Sequence, residues 1–139
     1  MPDDRDLVAG VAQLANLLNR RLAPLLDKAG ITPQQWGVLL AIGASNEAFS
    51  LAALARKLAV TKQNMTGMVD RLEQLGLIER EEDPSDLRSS RLKLSRRGRS
   101  ALDKFRQPYE QWLRGLGTER EVEQLERAIN RLISRLEES

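Results

Sequence analysis

Residues 61–75 combine two kinds of side chain on opposite sides of one predicted helix. At about 100° per residue, one arc of this helix is apolar and the other carries short polar groups. The apolar arc holds Met65, Met68, Val69, Leu72 and Leu75, the polar arc holds Gln63, Thr66, Gly67 and Asp70, and the flanks hold Lys62, Asn64 and Arg71. Glutamine and asparagine amides can pair with adenine, and a threonine methyl group can contact thymine. The polar arc therefore has the composition of a helix that reads a DNA major groove, although an ordinary solvent-exposed face has the same composition.

The start of this helix favours a helix-turn-helix arrangement. Thr61 is the predicted N-cap, and the free N–H groups of a helix N-terminus suit a phosphate group. Ser50 is the predicted N-cap of a preceding short helix that contains Leu51 and Leu54. The three or four residues between the two helices match the length of a helix-turn-helix turn.

A second group of candidate residues follows the helix in a predicted hairpin. Residues 77–80 and 91–94 alternate as two antiparallel strands. The polar loop between them, residues 81–90, is predicted to be too long for a tight hairpin. Arg88 at its tip could enter a narrow minor groove, and Asp86 could hold the guanidinium group by a charge-assisted hydrogen bond. A solvated surface ion pair of little energetic consequence is the alternative.

Four further helices are predicted from apolar spacing and capping residues. They run from about residue 7 to residue 29 with a bend at Pro24, from the Thr32 cap to residue 43, from the Ser95 cap to residue 117 with a kink at Pro108, and from the Thr118 cap through residue 136. No linker separates these elements. We therefore predict one mainly α-helical domain with a small β-hairpin wing.

The composition excludes several classes of function. The chain has no cysteine and no histidine, so disulfides, thiolate metal sites and Ser-His-Asp or Cys-His catalysis are impossible. We expect no cofactor, no metal and no enzymatic activity, with carboxylate-only or lysine-based catalysis as the open alternative. The N-terminal residues do not form a secretory signal, and no apolar run is long enough to span a bilayer. A cytoplasmic protein without a membrane partner is expected.

Charge is distributed unevenly along the chain. Residues 50–100 hold 11 Lys and Arg against 7 Asp and Glu, a balance of +4, whereas the remainder holds 11 against 13, a balance of −2. An ordinary solvated surface would explain such a small excess. The alternative is that the middle third of the chain faces a polyanion.

These motifs together resemble the multiple-antibiotic-resistance regulator (MarR) family. The resemblance is carried by the segment 61–78, by Asp83-Pro84-Ser85-Asp86-Leu87-Arg88, by Leu94-Ser95-Arg96-Arg97-Gly98, and by Pro33-Gln34-Gln35-Trp36 in the second helix. The Asp-x-Arg wing followed by a strand and a helix-opening glycine is the most specific part.

The resemblance implies a fold, a function and a set of contacts. It implies a winged helix-turn-helix DNA-binding part at residues 32–98, with dimerisation helices at residues 1–31 and 99–139. It implies a bacterial transcription regulator of the repressor type, which binds inverted repeats in double-stranded DNA as a homodimer. The expected DNA contacts are Ser50, Thr61, Lys62, Gln63, Asn64, Thr66, Gly67, Arg71, Asp86, Arg88 and Ser89. A winged helix that binds another protein is the alternative function.

Two further expectations follow from the resemblance. Relatives often carry a basic residue where this chain has Gly67, so one phosphate or base contact should be missing and the helix should be weaker by roughly 1 kcal/mol. Relatives also often release DNA when a small anionic aromatic ligand binds in a crevice between the dimerisation helices and the winged module, and Asn16, Arg20 and Trp36 could line that crevice here. We favour the alternative that Trp36 belongs to the core and Arg20 to the surface.

The terminal helices carry more apolar residues than a small winged module can cover. These are Leu7, Val11, Leu14, Leu125, Ile129, Leu132 and Leu136. Because large apolar patches are rarely left exposed, a twofold homodimer is expected.

Overall fold

The computed structural model describes residues 4–45, 48–83 and 86–138, with the backbone alone at residues 4, 5, 83 and 86–89. The elements are α1 (Asp4–Leu26), a 3-10 turn (Asp27–Ala29), α2 (Pro33–Gly43), β1 (Phe49–Ser50), α3 (Leu51–Lys57), α4 (Lys62–Gln74), β2 (Ile78–Asp83), β3 (Asp86–Leu94), α5 (Arg96–Arg114) and α6 (Glu119–Glu137). The predicted class, mainly helical with a small β wing, is confirmed. The chain divides into two compact units, Met1–Lys104 and Phe105–Ser139.

The core of the first unit lies where α2, α3 and α4 meet the sheet. Its fully buried side chains are Leu26, Leu39, Leu54, Met65, Leu72, Ile78, Leu92, Val38 and Val69. On α4 they lie three or four residues apart, as the helical period requires, and β2 and β3 contribute Ile78 and Leu92. This core holds the polar side of α4 outward.

Capping residues mark the end of the first helical segment, at Gly30, and the start of α2, at Thr32. α1 continues for two residues beyond Pro24 and then tightens into the 3-10 turn, which ends at Gly30. The α-helix therefore ends three residues earlier than predicted, and it also begins about three residues earlier. The Thr32 hydroxyl accepts a bond from the Gln35 N–H at 3.2 Å, while the Gln35 side chain accepts one from the Thr32 N–H at 3.0 Å. This reciprocal pair is the predicted capping box.

The turn between α3 and α4 is held by caps on both helices. The Ser50 hydroxyl accepts a bond from the Ala53 N–H, and the Thr61 hydroxyl accepts one from the Asn64 N–H, both at 3.1 Å. Between the helices, Ala59 adopts a positive φ of 55°. Glycine adopts this left-handed conformation without strain, whereas alanine does so at a cost.

The sheet differs from the prediction in two respects. It has three strands in the order β1-β3-β2, because the two-residue β1 pairs with β3 at Phe49↔Leu92. A strand of two residues leaves too little alternation to be recognised in a sequence. The prediction of a long loop over residues 81–90 is also wrong, since β2 and β3 stay paired as far as Asp83↔Asp86. The exposed Glu81 and Glu82 at the start of this segment thus belong to the paired strand β2.

The start of α5 joins the end of α4 to the wing. The Ser95 hydroxyl donates to the Gly76 carbonyl at 2.6 Å and accepts from the Gly98 N–H at 2.9 Å. A side chain at Gly98 would overlap the Leu77 carbonyl oxygen. Glycine is thus required at this close approach, which agrees with the helix-opening position predicted for it.

The second unit contains the end of α5 and all of α6. α5 continues through Pro108 to Arg114, and the rings of Tyr109 and Trp112 stack with centroids 6.0 Å apart. Thr118 and Glu121 form the predicted capping box at the start of α6. None of the residues of α6, all of which the structure describes, is buried.

Candidate nucleic-acid interface

The candidate interface begins with the outward face of α4. Met65, Val69 and Leu72 are fully buried, whereas Met68 and Leu75 are half-buried. The helix is therefore fixed in rotation by its apolar side. Lys62, Gln63, Asn64 and Arg71 are exposed on the other side, where the sequence placed them. Four donor-bearing side chains are thus presented within three turns of one rigid helix.

The two threonines of α4 have different roles. The Thr61 hydroxyl is occupied by the cap, so this residue sets where the helix begins. The half-buried Thr66 donates its hydroxyl proton to the Lys62 carbonyl at 2.9 Å. What Thr66 offers outward is consequently a methyl group and oxygen lone pairs, a combination that suits a thymine methyl better than an acceptor on a base.

Gly67 leaves a gap in the middle of this face. It is exposed, and a Cβ atom built there would meet nothing within 4 Å. Packing within the chain therefore gives no reason for glycine at this position. The gap allows a close approach of another molecule to the backbone of α4.

The predicted wing contacts lie on the irregular part of β3. Glu82 pairs with Ser90, but the next residue of β2, Asp83, pairs with Asp86. Leu87, Arg88 and Ser89 therefore have no opposite residue on β2, and the strand bulges there. The side chains of Asp86, Arg88 and Ser89 lie outside the described residues, so their contacts stay predictions.

Arg80, which the sequence reading placed only in a strand, proves to contact α4. Its Nε donates to a Glu73 carboxylate oxygen at 3.2 Å, and a terminal nitrogen donates to Asp70. These partners lie seven and ten residues away, so no local pattern indicates them. The only signal in the sequence is the alternation of strand residues. Arg80 is two residues after the buried Ile78 and therefore lies on the same face of the strand.

A second ion pair lies on the opposite face of the wing strands. Lys93 on β3 contacts Glu81 and lies 4.0 Å from Glu79. The hydrogen bond and charge of Glu81 raise the pKa of Lys93 above its ordinary value. Because Lys93 and Arg80 are both neutralised by carboxylates, the excess positive charge of residues 50–100 must come from other cations.

The residues proposed for a ligand crevice do not share one environment. Trp36 is 3% exposed and belongs to the core of the first unit, while Asn16 and Arg20 are exposed on α1. This placement agrees with the favoured alternative. Within residues 4–45, 48–83 and 86–138, no cluster of acidic side chains could hold a metal ion. No helix in the same part of the chain is long and apolar enough to cross a membrane.

Comparisons with known proteins agree with this geometry. A family model described as "MarR family" matches residues 29–89. The transcriptional activatory protein BadR of Rhodopseudomonas palustris is 35% identical over 98 residues, which are 69% of this chain and 56% of that protein. The HTH-type transcriptional regulator FarR of Neisseria gonorrhoeae is 30% identical over 96 residues, covering 69% of this chain and 65% of that protein. The chain thus spans less than two thirds of the length of these relatives.

Solved structures match over nearly the whole chain. Wild-type MarR from E. coli superimposes with a TM-score of 0.72 at 27% identity, covering 95% of this chain and 98% of that one. BldR from Sulfolobus solfataricus gives 0.82 at 24% identity over 96% and 99%. MepR from S. aureus, in a complex with DNA, gives 0.78 at 22% identity over 94% and 97%.

Fold and candidate interface together define a winged helix-turn-helix protein. Its third and fourth helices form the helix-turn-helix, and β2 and β3 form the wing. The chain belongs to the MarR family of transcriptional regulators, whose members are not enzymes. The family resemblance read from the motifs is thereby confirmed.

Proposed function

We propose that this protein regulates transcription by binding double-stranded DNA through α4 and the wing. The observation that carries the proposal is the fixed orientation of α4. Its buried side is locked by the core, and Gln63, Asn64 and Lys62 project from the first turns on the other side. Side chains held in this way on a rigid helix can make bidentate contacts with base edges in the major groove.

The other predicted contacts have supporting roles in this proposal. Thr66 contacts a thymine methyl, Lys62 and Arg71 contact phosphates, and the open surface at Gly67 lets the backbone approach the duplex. The α3 and α4 N-termini, capped by Ser50 and Thr61, lie against phosphates. Arg88 enters the minor groove from the bulge of β3, with Asp86 and Ser89 beside it.

We further propose that the protein acts as a homodimer on inverted repeats. Apolar side chains are exposed along α1, where Leu7, Val11 and Leu14 are 61%, 53% and 42% exposed. α6 carries a second exposed apolar face. A second copy of the chain would cover both, so residues 1–31 and 99–139 serve dimerisation and residues 32–98 bind DNA. Twofold symmetry then places half-sites about one helical turn apart.

The sign of regulation follows from where such a dimer binds. A protein that only occupies DNA represses transcription when its site overlaps the promoter, and we propose this mode, in the bacterial cytoplasm where the promoter lies. One relative is named a transcriptional activatory protein, so the position of the operator has to be mapped. Transcription in vitro from a promoter that carries the mapped operator should fall on addition of the protein, and a rise would overturn the proposed repression.

The family resemblance also leads us to propose that a small anionic aromatic ligand releases the protein from DNA. Because Trp36 is buried, the accessible groups for such a ligand are Asn16 and Arg20. Titration of benzoate into the DNA complex tests this expectation. Dissociation that is abolished by Arg20→Gln would support it, and an unchanged complex at millimolar benzoate would count against it.

The DNA-binding proposal is tested by titrations of single variants. An operator is first obtained by sequencing genomic fragments that the protein retains. Gln63→Ala and Asn64→Ala should each reduce discrimination between operator and random duplex by about 1–3 kcal/mol. Arg88→Ala should weaken binding to both duplexes. Gln74→Ala, at the exposed far end of the same helix, is the matched control and should bind as the wild type does.

Each result has a defined meaning for the proposal. If Gln63→Ala and Asn64→Ala keep the wild-type specificity ratio, α4 does not read bases at these positions. If Arg88→Ala binds both duplexes with wild-type affinity, the wing assignment is wrong. A wild-type protein that retains no duplex at low salt would overturn the proposed function and favour a protein-binding winged helix.

A further inference from the structure

Arg80 connects the wing to the helix that is proposed to read DNA. From β2 its guanidinium donates to Glu73 through Nε and to Asp70 through a terminal nitrogen. The Arg80 side chain is 31% exposed, against 52% for Asp70 and 42% for Glu73. The Arg80 side chain is therefore the least exposed of the three. We call these three residues the Arg80 bridge.

Strand geometry explains why Arg80 reaches α4. Ile78 is buried beneath the helix, and side chains two residues apart lie on the same face of a strand. Arg80 is thus directed at α4 just beyond the edge of the core. Asp70 and Glu73 are three residues apart on the helix, where like charges repel one another. One planar guanidinium group with several donors can satisfy both carboxylates at once.

The position of Asp70 gives this bridge a consequence for DNA. On the helical wheel Asp70 falls on the same arc as Gln63, Thr66 and Gly67. A free carboxylate on that arc would repel phosphates and reduce DNA affinity. Glu73 lies farther from the arc and nearer to the C-terminal end of α4, so its charge matters less for the same surface.

We infer that Arg80 is a positioning residue for DNA binding, which neutralises Asp70 and Glu73 and fixes the wing strand against α4. It acts through these carboxylates and makes no direct contact with phosphate. The inference rests on the proposed function, since it describes how the surface of α4 is made compatible with a polyanion. It also assigns a role to an arginine that the recognition motifs do not include.

The bridge is tested with four variants of the intact protein on operator and random duplexes at two salt concentrations. Arg80→Gln should weaken binding to both duplexes by about tenfold at low salt, and by less at high salt because the effect is electrostatic. Arg80→Lys keeps the charge and should retain most of the affinity. Arg80→Gln combined with Asp70→Asn should recover most of the loss, and combined with Glu73→Gln it should recover less.

A control separates this mechanism from a general loss of positive charge. Arg120→Gln removes the same charge from the exposed surface of α6 and should leave DNA affinity unchanged. Thermal melting of each variant detects a merely structural role. Since the three side chains are substantially exposed, all variants should fold. A loss of affinity that tracks a lower melting temperature and is not recovered by Asp70→Asn would overturn the inference.

The remaining outcomes distinguish failure of the bridge from failure of the proposed function. If Arg80 contacts phosphate directly, a fifth variant, Asp70→Asn alone, will tighten binding, and the double variant will keep most of the loss caused by Arg80→Gln, which overturns the inference alone. If Arg80→Gln binds DNA with the affinity of the wild type, the inference also fails, but the proposed function stands. If the wild-type protein binds neither duplex, the proposed function fails and the inference fails with it.

Discussion

α4 and α6 begin in the same way but end up in different environments. Each has a threonine N-cap, Thr61 or Thr118, whose hydroxyl accepts a bond from the N–H three residues later. Each carries apolar residues along one arc. Yet α4 buries Met65, Val69 and Leu72 completely, whereas none of the residues of α6 is buried.

The difference shows that an apolar helix face can be buried within its own chain, as on α4, or remain exposed in the single chain, as on α6. α4 packs on α2, α3 and β2, and its apolar side is buried there. On α6 the large apolar side chains remain between 39% and 66% exposed. They are Leu125, Ile129, Leu132, Ile133 and Leu136. Four predictions sharpen this contrast or would break it.

The largest expected effect concerns the core side of α4. Leu72→Ala should lower the free energy of unfolding by about 2–5 kcal/mol, because a fully buried leucine leaves a cavity behind. Chemical denaturation followed by circular dichroism measures this loss. Leu125→Ala, at a position that is 51% exposed in the single chain, is the matched substitution. If both variants lose the same amount at every protein concentration, the two helices are not in different environments.

A charge on the apolar face of α6 should separate the proposed dimer. Ile129→Glu would place a carboxylate in the interface, which costs far more than a lost contact, so the dimer dissociation constant should rise by at least about a hundredfold. Sedimentation at micromolar concentration measures the change. Ser134→Glu, roughly opposite on the helical wheel, should remain dimeric. A wild-type protein that sediments as a folded monomer would end the dimer proposal.

The turn between α3 and α4 contains a strained residue, and relieving this strain should stabilise the protein. Ala59 has a φ of 55°, so Ala59→Gly should raise the free energy of unfolding by roughly 0.5–1 kcal/mol. Thermal melting detects this gain. Ala52→Gly, at an exposed position in the first turn of α3, should have the opposite sign because glycine has a lower helix propensity than alanine. Destabilisation by both substitutions would show that the turn is not strained.

The smallest effect concerns the start of α6. Bonds from the backbone and hydroxyl of Thr118 lower the pKa of Glu121 below its ordinary value of 4.5. A lowered pKa means that the ionised form is favoured by folding, so this stabilisation is present above pH 4.5 and is lost as the pH falls through the lowered pKa. The melting temperature of Glu121→Gln should therefore be below that of the wild type at pH 7 and equal to it in strong acid.

A matched variant checks that this pH effect belongs to the cap. Glu123→Gln removes an exposed carboxylate from the same helix outside the capping box. It should not reproduce the pH-dependent difference in melting temperature. An identical response of Glu121→Gln and Glu123→Gln would mean that the general charge of α6, and not its capping box, controls the acid sensitivity.

The sequence determined the local features of this protein. Capping residues such as Thr32, Ser50, Thr61, Ser95 and Thr118 begin the helices where they were predicted. The apolar period of α4 fixed which side faces the core. These features could be predicted because they depend on groups within about four residues of one another.

The tertiary structure decided whatever depends on distant partners. The third strand, which pairs Phe49 with Leu92, and the exclusion of a side chain at Gly98 by Leu77 both require segments that are far apart in the chain to meet. The bridge from Arg80 to Asp70 and Glu73 is of the same kind. The helix places Asp70 and Glu73 side by side, but only the packing of β2 on α4 brings the charge of Arg80 to them.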